Sequence, residues 1–245
     1  MKAITILLFC LFIQVKLFAQ VGINIDNSVP DPSAMLDVKS TSKGFVPPRM
    51  ITSQRDLINS PVAGLTIYNT SKNCNETYNG SSWVSNTHYI GESYGGGIVF
   101  YVCDNGQHGL IAATADQSAG IRWYGGSFTF TRARADGVGA GLKNTSIIIA
   151  NQGPVDGAAF AATVCNEYSV TVGGVTYGDW YLPSKHELNL LYLQKAVVGG
   201  FSDNYYWSSS EYSSTSAWSQ NFFDDGYQYN GYKYGIYYVR AIRAF

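Results

Sequence analysis

Charge is scarce in this sequence: 13 % of residues are charged, 16 basic against 17 acidic, for a net charge of −1. Binding nucleic acid calls for a basic face, so that class of partner is excluded. Histidine is rarer still. His88, His108 and His186 are scattered along the chain, without metal-ligand spacing. Of the 4 cysteines, Cys10 falls in an apolar leader, while Cys74, Cys103 and Cys165 form an odd set. They allow one disulfide plus a free thiol, or three unpaired small residues. No G-x-S-x-G elbow marks a nucleophile, and Gly95-Gly96-Gly97 precedes a strand instead of opening a helix, which argues against a phosphate loop. No cofactor is expected.

Long apolar runs are missing too, except at the start. Lys2, the run Ile4 to Ile13, and Leu17-Phe18-Ala19 before Gln20 read as a secretory signal peptide over residues 1–19. The run is too short and wrongly flanked for a stable span, and Cys10 has no small residue beside it to suggest lipidation. The chain is expected to leave the cytoplasm, with no membrane span once the signal is cleaved.

What is abundant is glycine (26) and tyrosine (19), which suggests a loop-rich extracellular β or α+β protein. Residues 20–88 are polar and rich in turns. Val46-Pro47-Pro48-Arg49 excludes regular helix, Ser53 to Asn59 predicts one short helix, and Gly64 to Tyr68, Glu76 to Tyr78 and Ser82 to Val84 predict strands between turns. With little apolar surface of its own, this part reads as a β-rich stalk or assembly region. Residues 89–245 have a proper core. Gly97 to Val102 and Leu110 to Ala113 flank Asp104-Asn105-Gly106 as a hairpin. Gly157 to Tyr168 predicts an Ala-rich helix. Ser184 and Glu187 stand at capping-box spacing before Leu188, Leu191 and Tyr192, with Gly199-Gly200 as the stop. The last residues, Val239 to Phe245, predict a strand paired near the Ile98 strand.

From Trp207 to Val239 the chain reads WSSSEYSSTSAWSQNFFDDGYQYNGYKYGIYYV. Tyr and Trp give large contact area at small entropic cost, and Ser, Gly and Asn adapt their hydrogen bonds, which is the composition of a recognition surface. Burial is expected for Trp207, Trp218 and Phe222, and exposure for Tyr227, Tyr229, Tyr232 and Tyr234. Ser208-Ser209-Ser210-Glu211 shows no nucleophile context. Asp224-Asp225 reads as a charged part of the face in preference to a calcium site. Arg132 and Arg134 read as solvated loop residues, and Arg240 and Arg243 as partners for Glu211 or Asp179.

Four ordered motifs carry a resemblance: Gly96 to Tyr101, Gly178 to Ser184, Tyr206 to Glu211 and Val239 to Phe245. Through them residues 95–245 resemble a bacterial family related to the C-type lectin fold, shared with the C-terminal domain of a collagen-like adhesin. Some of its members are variable proteins of diversity-generating retroelements. The resemblance implies an α+β, C-type lectin-like domain over residues 89–245, a mixed or antiparallel sheet with two helices and paired terminal strands. Leu36 to Trp83 resembles N-terminal segments of secreted, fibre-like proteins of Gram-negative bacteria, which implies a secreted or cell-surface location and a homo-oligomer through the N-terminal region.

Retroelement mutagenesis replaces adenines, so a varied asparagine codon never yields Lys, Glu, Gln, Met or Trp. The candidate ligand-binding positions are Tyr212, Ser214, Ser216, Ser219, Phe223, Asp224, Asp225, Tyr227, Tyr229, Asn230, Gly231, Tyr232, Tyr234, Gly235, Ile236 and Tyr237. All obey that rule from Ser216 on, and Trp218, Gln220, Gln228 and Lys233 between them would be fixed framework. The expected partner is a protein or glycan on another cell or surface. The same class includes formylglycine-generating enzymes, but these need a reactive cysteine pair near the substrate groove, and the C-terminal segment has no cysteine. The expectation is a binding protein and not an enzyme, with a structural fibre or pilus-associated subunit as the competing reading.

Overall fold

The computed structural model describes residues 20–245 apart from Asn86 and Pro154, so the expected signal peptide, with Cys10, lies outside the described residues. The chain is mixed α+β, mostly strands with few helices, in several sheets. It divides into two compact units, one ending at Pro48 and one spanning Arg49–Phe245.

In the first unit β1 (Val21–Ile23) and β2 (Leu36–Val38) pair in parallel, Val21 opposite Leu36. Side chains organise the connection: Asp31 Oδ1 accepts the Ser33 N–H at 2.9 Å, and Asp37 Oδ2 accepts the Asp31 N–H at 2.9 Å. Val21, Ile23, Ile25, Val29, Met35, Leu36, Phe45 and Val46 all remain exposed. A two-stranded pair without a buried face is marginal in water, and so dense an apolar exposure marks an interaction surface.

The second unit opens with β3 (Arg49–Met50), α1 (Thr52–Arg55), β4 (Thr66–Asn69), β5 (Cys74–Tyr78) and β6 (Trp83–Ser85), with sheet order β3-β4-β5-β6. Its interior is polar. Glu76 is fully buried and accepts from Arg55 Nη1 at 2.7 Å, Asn69 Nδ2 at 2.8 Å and Lys72 Nζ at 2.9 Å. Burial pushes the Glu76 carboxyl up, but the hydrogen bonds from Asn69, Lys72 and Arg55 outweigh it and hold the group below its ordinary value.

The larger part follows. β7 (Ser93–Tyr94), β8 (Gly97–Cys103), a 3-10 turn at Asp104–Gly106 and β9 (His108–Ala112) lead to β10 (Ser118–Ile121). Then come α2 (Ala140–Gln152), α3 (Ala161–Asn166), the hairpin β11 (Val170–Val172) and β12 (Val175–Tyr177), α4 (Lys185–Leu193) and α5 (Lys195–Val198). Strands β13 (Tyr205–Glu211), β14 (Ser216–Asn221), β15 (Gln228–Tyr232), β16 (Tyr237–Val239) and β17 (Ile242–Ala244) complete it. One sheet has order β17-β9-β8-β7 and another β10-β16-β13-β14-β15. Trp123, Trp180, Trp207, Val99, Ile111 and Val239 share one core cluster; Phe100, Leu188, Leu191, Tyr206 and Phe222 share the second.

Several expectations need correction. The Ala-rich helix begins at Ala161, not Gly157, and α2 was not foreseen. The C-terminal segment forms two strands, and β17 pairs with β9, one strand removed from the Ile98 strand. Arg243 does meet Asp179, at 2.7 Å, but Arg240 binds Asp116 at 2.7 Å and not Glu211. The capping box is formed: Ser184 Oγ accepts the Glu187 N–H at 3.2 Å, and Glu187 Oε2 accepts the Ser184 N–H at 2.8 Å. Cys74, Cys103 and Cys165 are all unpaired.

Candidate binding face

Side chains alternate across a strand, so the pairing of Trp207 with Ser219 and of Ser219 with Tyr229 sorts the β13–β15 sheet into two faces. Tyr206, Gln220 and Gln228 lie on the face turned to α4. Gln228 Nε2 donates to Lys185 O at 2.7 Å, and Gln220 Nε2 to Asn189 Oδ1 at 2.9 Å. Tyr205, Trp207, Ser219 and Tyr229 lie on the other.

The turns and edge of this sheet carry exposed rings: Tyr212, Phe223, Tyr227 (67 % exposed), Tyr229, Tyr232 and Tyr234, with Ile236 beside them. Asp224, Asp225 and Asn230 are exposed as well, and Ser214, Gly235 and Tyr237 are half-buried. Three candidate positions are not on the surface. Ser216 is buried in the turn that opens β14, its carbonyl accepting from the Tyr212 and Ser213 amides. Ser219 is buried opposite Tyr229 and donates to its carbonyl at 3.2 Å. Gly231 is buried with Tyr237 and Trp207 against its Cα, so a Cβ there would lie 2.7 Å from the Tyr237 ring. Asp225 organises the turn between β14 and β15, accepting from Asn221 Nδ2 at 3.1 Å and the Tyr227 N–H at 2.9 Å.

The rings form two groups. Tyr205 contacts Phe223, Tyr229 and Tyr237 at centroid distances of 5.9, 6.0 and 5.4 Å. Tyr232 stacks on Tyr234 at 5.4 Å, and Tyr234 meets Phe128 edge-on at 6.3 Å. Phe128 in turn stacks on Tyr124 at 4.9 Å. Sequence reasoning missed Tyr124, Phe128, Phe130 and Tyr205. The alternation Phe128-Thr129-Phe130-Thr131, closed by Arg132 and Arg134, was the signal available. Both of those guanidiniums stand 5.4 Å from the Phe130 ring.

A buried ion pair fixes this arrangement. Lys233, between the exposed Tyr232 and Tyr234, has no solvent exposure. Its Nζ donates to Glu211 Oε1 at 2.7 Å and Thr129 O at 2.9 Å, and stands 4.6 Å from the Trp123 ring. Glu211 also accepts the Thr131 N–H at 2.7 Å and the Arg132 N–H at 3.0 Å, holding Arg132 at φ 71°, a left-handed conformation that is uncommon outside glycine. Burial pushes the Glu211 carboxyl up, but Lys233 and the two amides hold it below its ordinary value. One carboxylate thus ties β13, the loop segment Thr129–Arg132 and the end of β15 together. The other framework positions are also engaged: Gln220 is buried, while Trp218, expected to be buried, is half-buried with the Lys185 ammonium 3.7 Å over its ring. Ser208, Ser209 and Ser210 are all buried.

A cleft of about 700 Å³ opens elsewhere in this unit, lined among others by Lys72, Cys74, His88, Tyr89 and Cys103. Its thiols are apart from the aromatic face. Burial raises the Cys74 thiol, and His88 bonds Glu92 at 2.8 Å and packs against the Tyr94 ring at 3.9 Å.

Residues 22–101, about a third of the chain, match a family described as a phage tail like trimerisation region. This is in keeping with a fibre-like N-terminal part. No curated protein matches the chain. Among the described residues no helix is long and apolar enough to cross a membrane.

Proposed function

We propose that this chain is an exported, fibre-like binding protein, not an enzyme, that assembles as a homotrimer through its N-terminal part and presents the tyrosine-rich face to a partner on another surface. The observation that carries the recognition reading is the pairing of exposed rings with a closed framework. Tyr227, Tyr229, Tyr232 and Tyr234 face solvent while Lys233 and Glu211, between and beneath them, are fully buried. Aromatic anchors held on a rigid scaffold bind at low ordering cost. The trimer reading is supported by the match over residues 22–101 and by the apolar residues that the first unit leaves uncovered; a closed symmetric assembly is the usual way to cover such a surface.

A C-type lectin-like domain over residues 89–245, behind a stalk over residues 20–88, is part of the same proposal. The resemblance motifs support it by where they lie: on β8, on the approach to α4, on β13 and on β16–β17. The retroelement reading is supported by the burial of Gln220 and Lys233 beside exposed Tyr229, Tyr232 and Tyr234. It is weakened by the burial of Ser216, Ser219 and Gly231.

The test pairs mass with binding. Light scattering on the exported chain should give three times the chain mass. Arrays of glycans and of bacterial and host surface proteins should yield a hit that disappears when Tyr227, Tyr229, Tyr232 and Tyr234 are changed to Ser, with circular dichroism unchanged. Equal binding by both proteins, or none by either, would leave a purely structural fibre subunit as the reading.

A further inference from the structure

β15 is the last strand of its sheet, and its backbone polarity can be worked out from the bonds around it. The Asn221 N–H donates to Tyr227 O at 3.0 Å and the Lys233 N–H to Thr215 O at 2.8 Å. Bonding alternates along an antiparallel pair, so Tyr229 and Gly231 turn both backbone groups inward to β14, as do the Tyr227 carbonyl and the Lys233 N–H at its two ends. The Tyr227 N–H goes to Asp225 Oδ1 at 2.9 Å, and the Lys233 carbonyl accepts the Trp123 N–H at 2.8 Å. Ser208 Oγ donates to Trp218 O at 2.9 Å on the β13 side, as that parity requires of Asn230's partner. Gln228 and Asn230 therefore direct both N–H and C=O outward from the sheet. The Tyr232 N–H points the same way, while its carbonyl is taken by the Gly235 N–H at 2.7 Å.

Sheet edges are ordinarily guarded by proline, outward charge, a bulge or a covering element. β15 has none of the first three. Its sequence is Gln-Tyr-Asn-Gly-Tyr, its register against β14 is continuous, and the nearest charge, Lys233, is turned inward and buried. The opposite edge differs: β10 has a register shift and a glycine at φ 158°. Just before β15, Asp224 and Asp225 are exposed, and neither takes part in an ion pair among the described residues.

We propose that the outer edge of β15 is a strand-addition site for an extended peptide segment of a partner protein, one that carries basic residues at the end that meets Asp224 and Asp225. This rests on the reading of the tyrosine-rich segment as a recognition face and names its ligand class. A row of alternating outward donors and acceptors matches a peptide backbone, whereas a glycan has no such repeat. Tyr227 and Tyr229 flank the edge on one face and Tyr232 on the other, which gives alternate side chains of the added strand an aromatic contact.

The probe is a short peptide of alternating valine and threonine closed by two arginines, titrated by fluorescence anisotropy against the full chain. Asn230→Pro deletes an outward N–H without touching the β14 ladder, a substitution that edge strands tolerate. Asn230→Ala keeps the backbone. Peptide affinity should fall by at least about tenfold in Asn230→Pro and by clearly less in Asn230→Ala, which keeps the backbone donor and loses only the side chain. Hydrogen exchange should show protection at Gln228, Asn230 and Tyr232 in the native chain. The proposal is overturned by equal affinity in Asn230→Pro, by absence of binding or of that protection, or by a glutamate-ended peptide that binds as tightly. Concentration-dependent growth beyond the trimer that Asn230→Pro abolishes would assign the edge to a second copy and overturn it as well. An array hit lost in the Tyr-to-Ser variant but kept in Asn230→Pro removes strand addition alone. A hit kept in the Tyr-to-Ser variant removes the recognition reading itself.

Discussion

Glu76 and Glu211 are both enclosed carboxylates that gather cations and amide donors, but their surroundings differ. Glu76 stands in a small sheet whose buried apolar residues are Ile67 and Cys74. Its cations, Arg55 and Lys72, keep 10 % and 24 % of their side-chain surface in solvent. Glu211 borders a core built on Trp123, Trp207 and Val239, and its cation, Lys233, keeps none. In the first place a polar network stands in for an apolar core that the sequence is too polar to build. In the second the core is already present, and the ion pair decides where the loops of the aromatic face lie. A buried pair adds little net stability against a hydrophobic alternative, but removing one member leaves an uncompensated charge.

That contrast predicts unequal costs. Glu211→Ala should be the more damaging, at about 3–5 kcal/mol, because Lys233 has no route to water. Urea unfolding followed by tryptophan fluorescence would measure it, and a loss under about 1 kcal/mol would mean that Lys233 escapes to solvent after all. Glu76→Ala should cost less, about 1–3 kcal/mol, because Arg55 and Lys72 can turn outward and rehydrate. Equal losses in the two variants would erase the distinction between a substitute core and a loop clamp.

How much of this was legible depends on the range of each interaction. The capping box at Ser184 and Glu187 is local, and so is the Gly97–Ala112 hairpin; both could be read directly. The second use of Glu187 could not. Its carboxylate also accepts the Gly139 N–H at 2.8 Å and the Gly141 N–H at 3.0 Å, supporting the start of α2. That helix begins Ala-Gly-Leu-Lys-Asn-Thr-Ser, a run of mostly poor helix formers, and it is held by contacts distant in sequence, such as Thr145 Oγ1, which accepts the Leu182 N–H at 3.1 Å. Of the face, the alternating tyrosines showed in the sequence as a composition. Lys233 showed in the sequence as a fixed framework position, but not as a buried one, because its partner Glu211 lies 22 residues earlier in the chain. The Tyr124–Arg134 contribution was hidden for the same reason, since it joins the face through a carboxylate far along the chain.

The two glutamates also respond alike to acid. Each is held below its ordinary value of 4.5, so the folded chain binds these protons less readily than the unfolded one. Their contributions are complete above the ordinary value and fade as pH falls through the lower folded values. Unfolding free energy should therefore be flat near pH 6 and fall below about pH 4.5, with each group adding up to about 1.4 kcal/mol per pH unit to the slope. The Glu76→Gln and Glu211→Gln variants should each show a shallower fall. A slope unchanged in Glu211→Gln would show that its acid response comes from other carboxyls, such as Asp156, which Arg122 holds down to about 2.

The smallest effect sharpens the comparison from the other side. If the rings outside the Glu211 clamp serve a partner and not the fold, their loss should barely register in stability. Tyr227→Ser and Tyr232→Ser should each stay within about 0.5 kcal/mol of the native chain, as exposed substitutions do. Trp207→Ala, a core position of the same sheet, should cost about 3–5 kcal/mol. Trp207 meets the ring layer through Tyr237, which lies 4.3 Å from it and 5.4 Å from Tyr205. A Tyr232→Ser loss above about 1.5 kcal/mol would mean that the Tyr232–Tyr234 stack supports the sheet edge. The exposed rings would then belong to the fold's own framework, and the division between clamp and face would have to be redrawn around them.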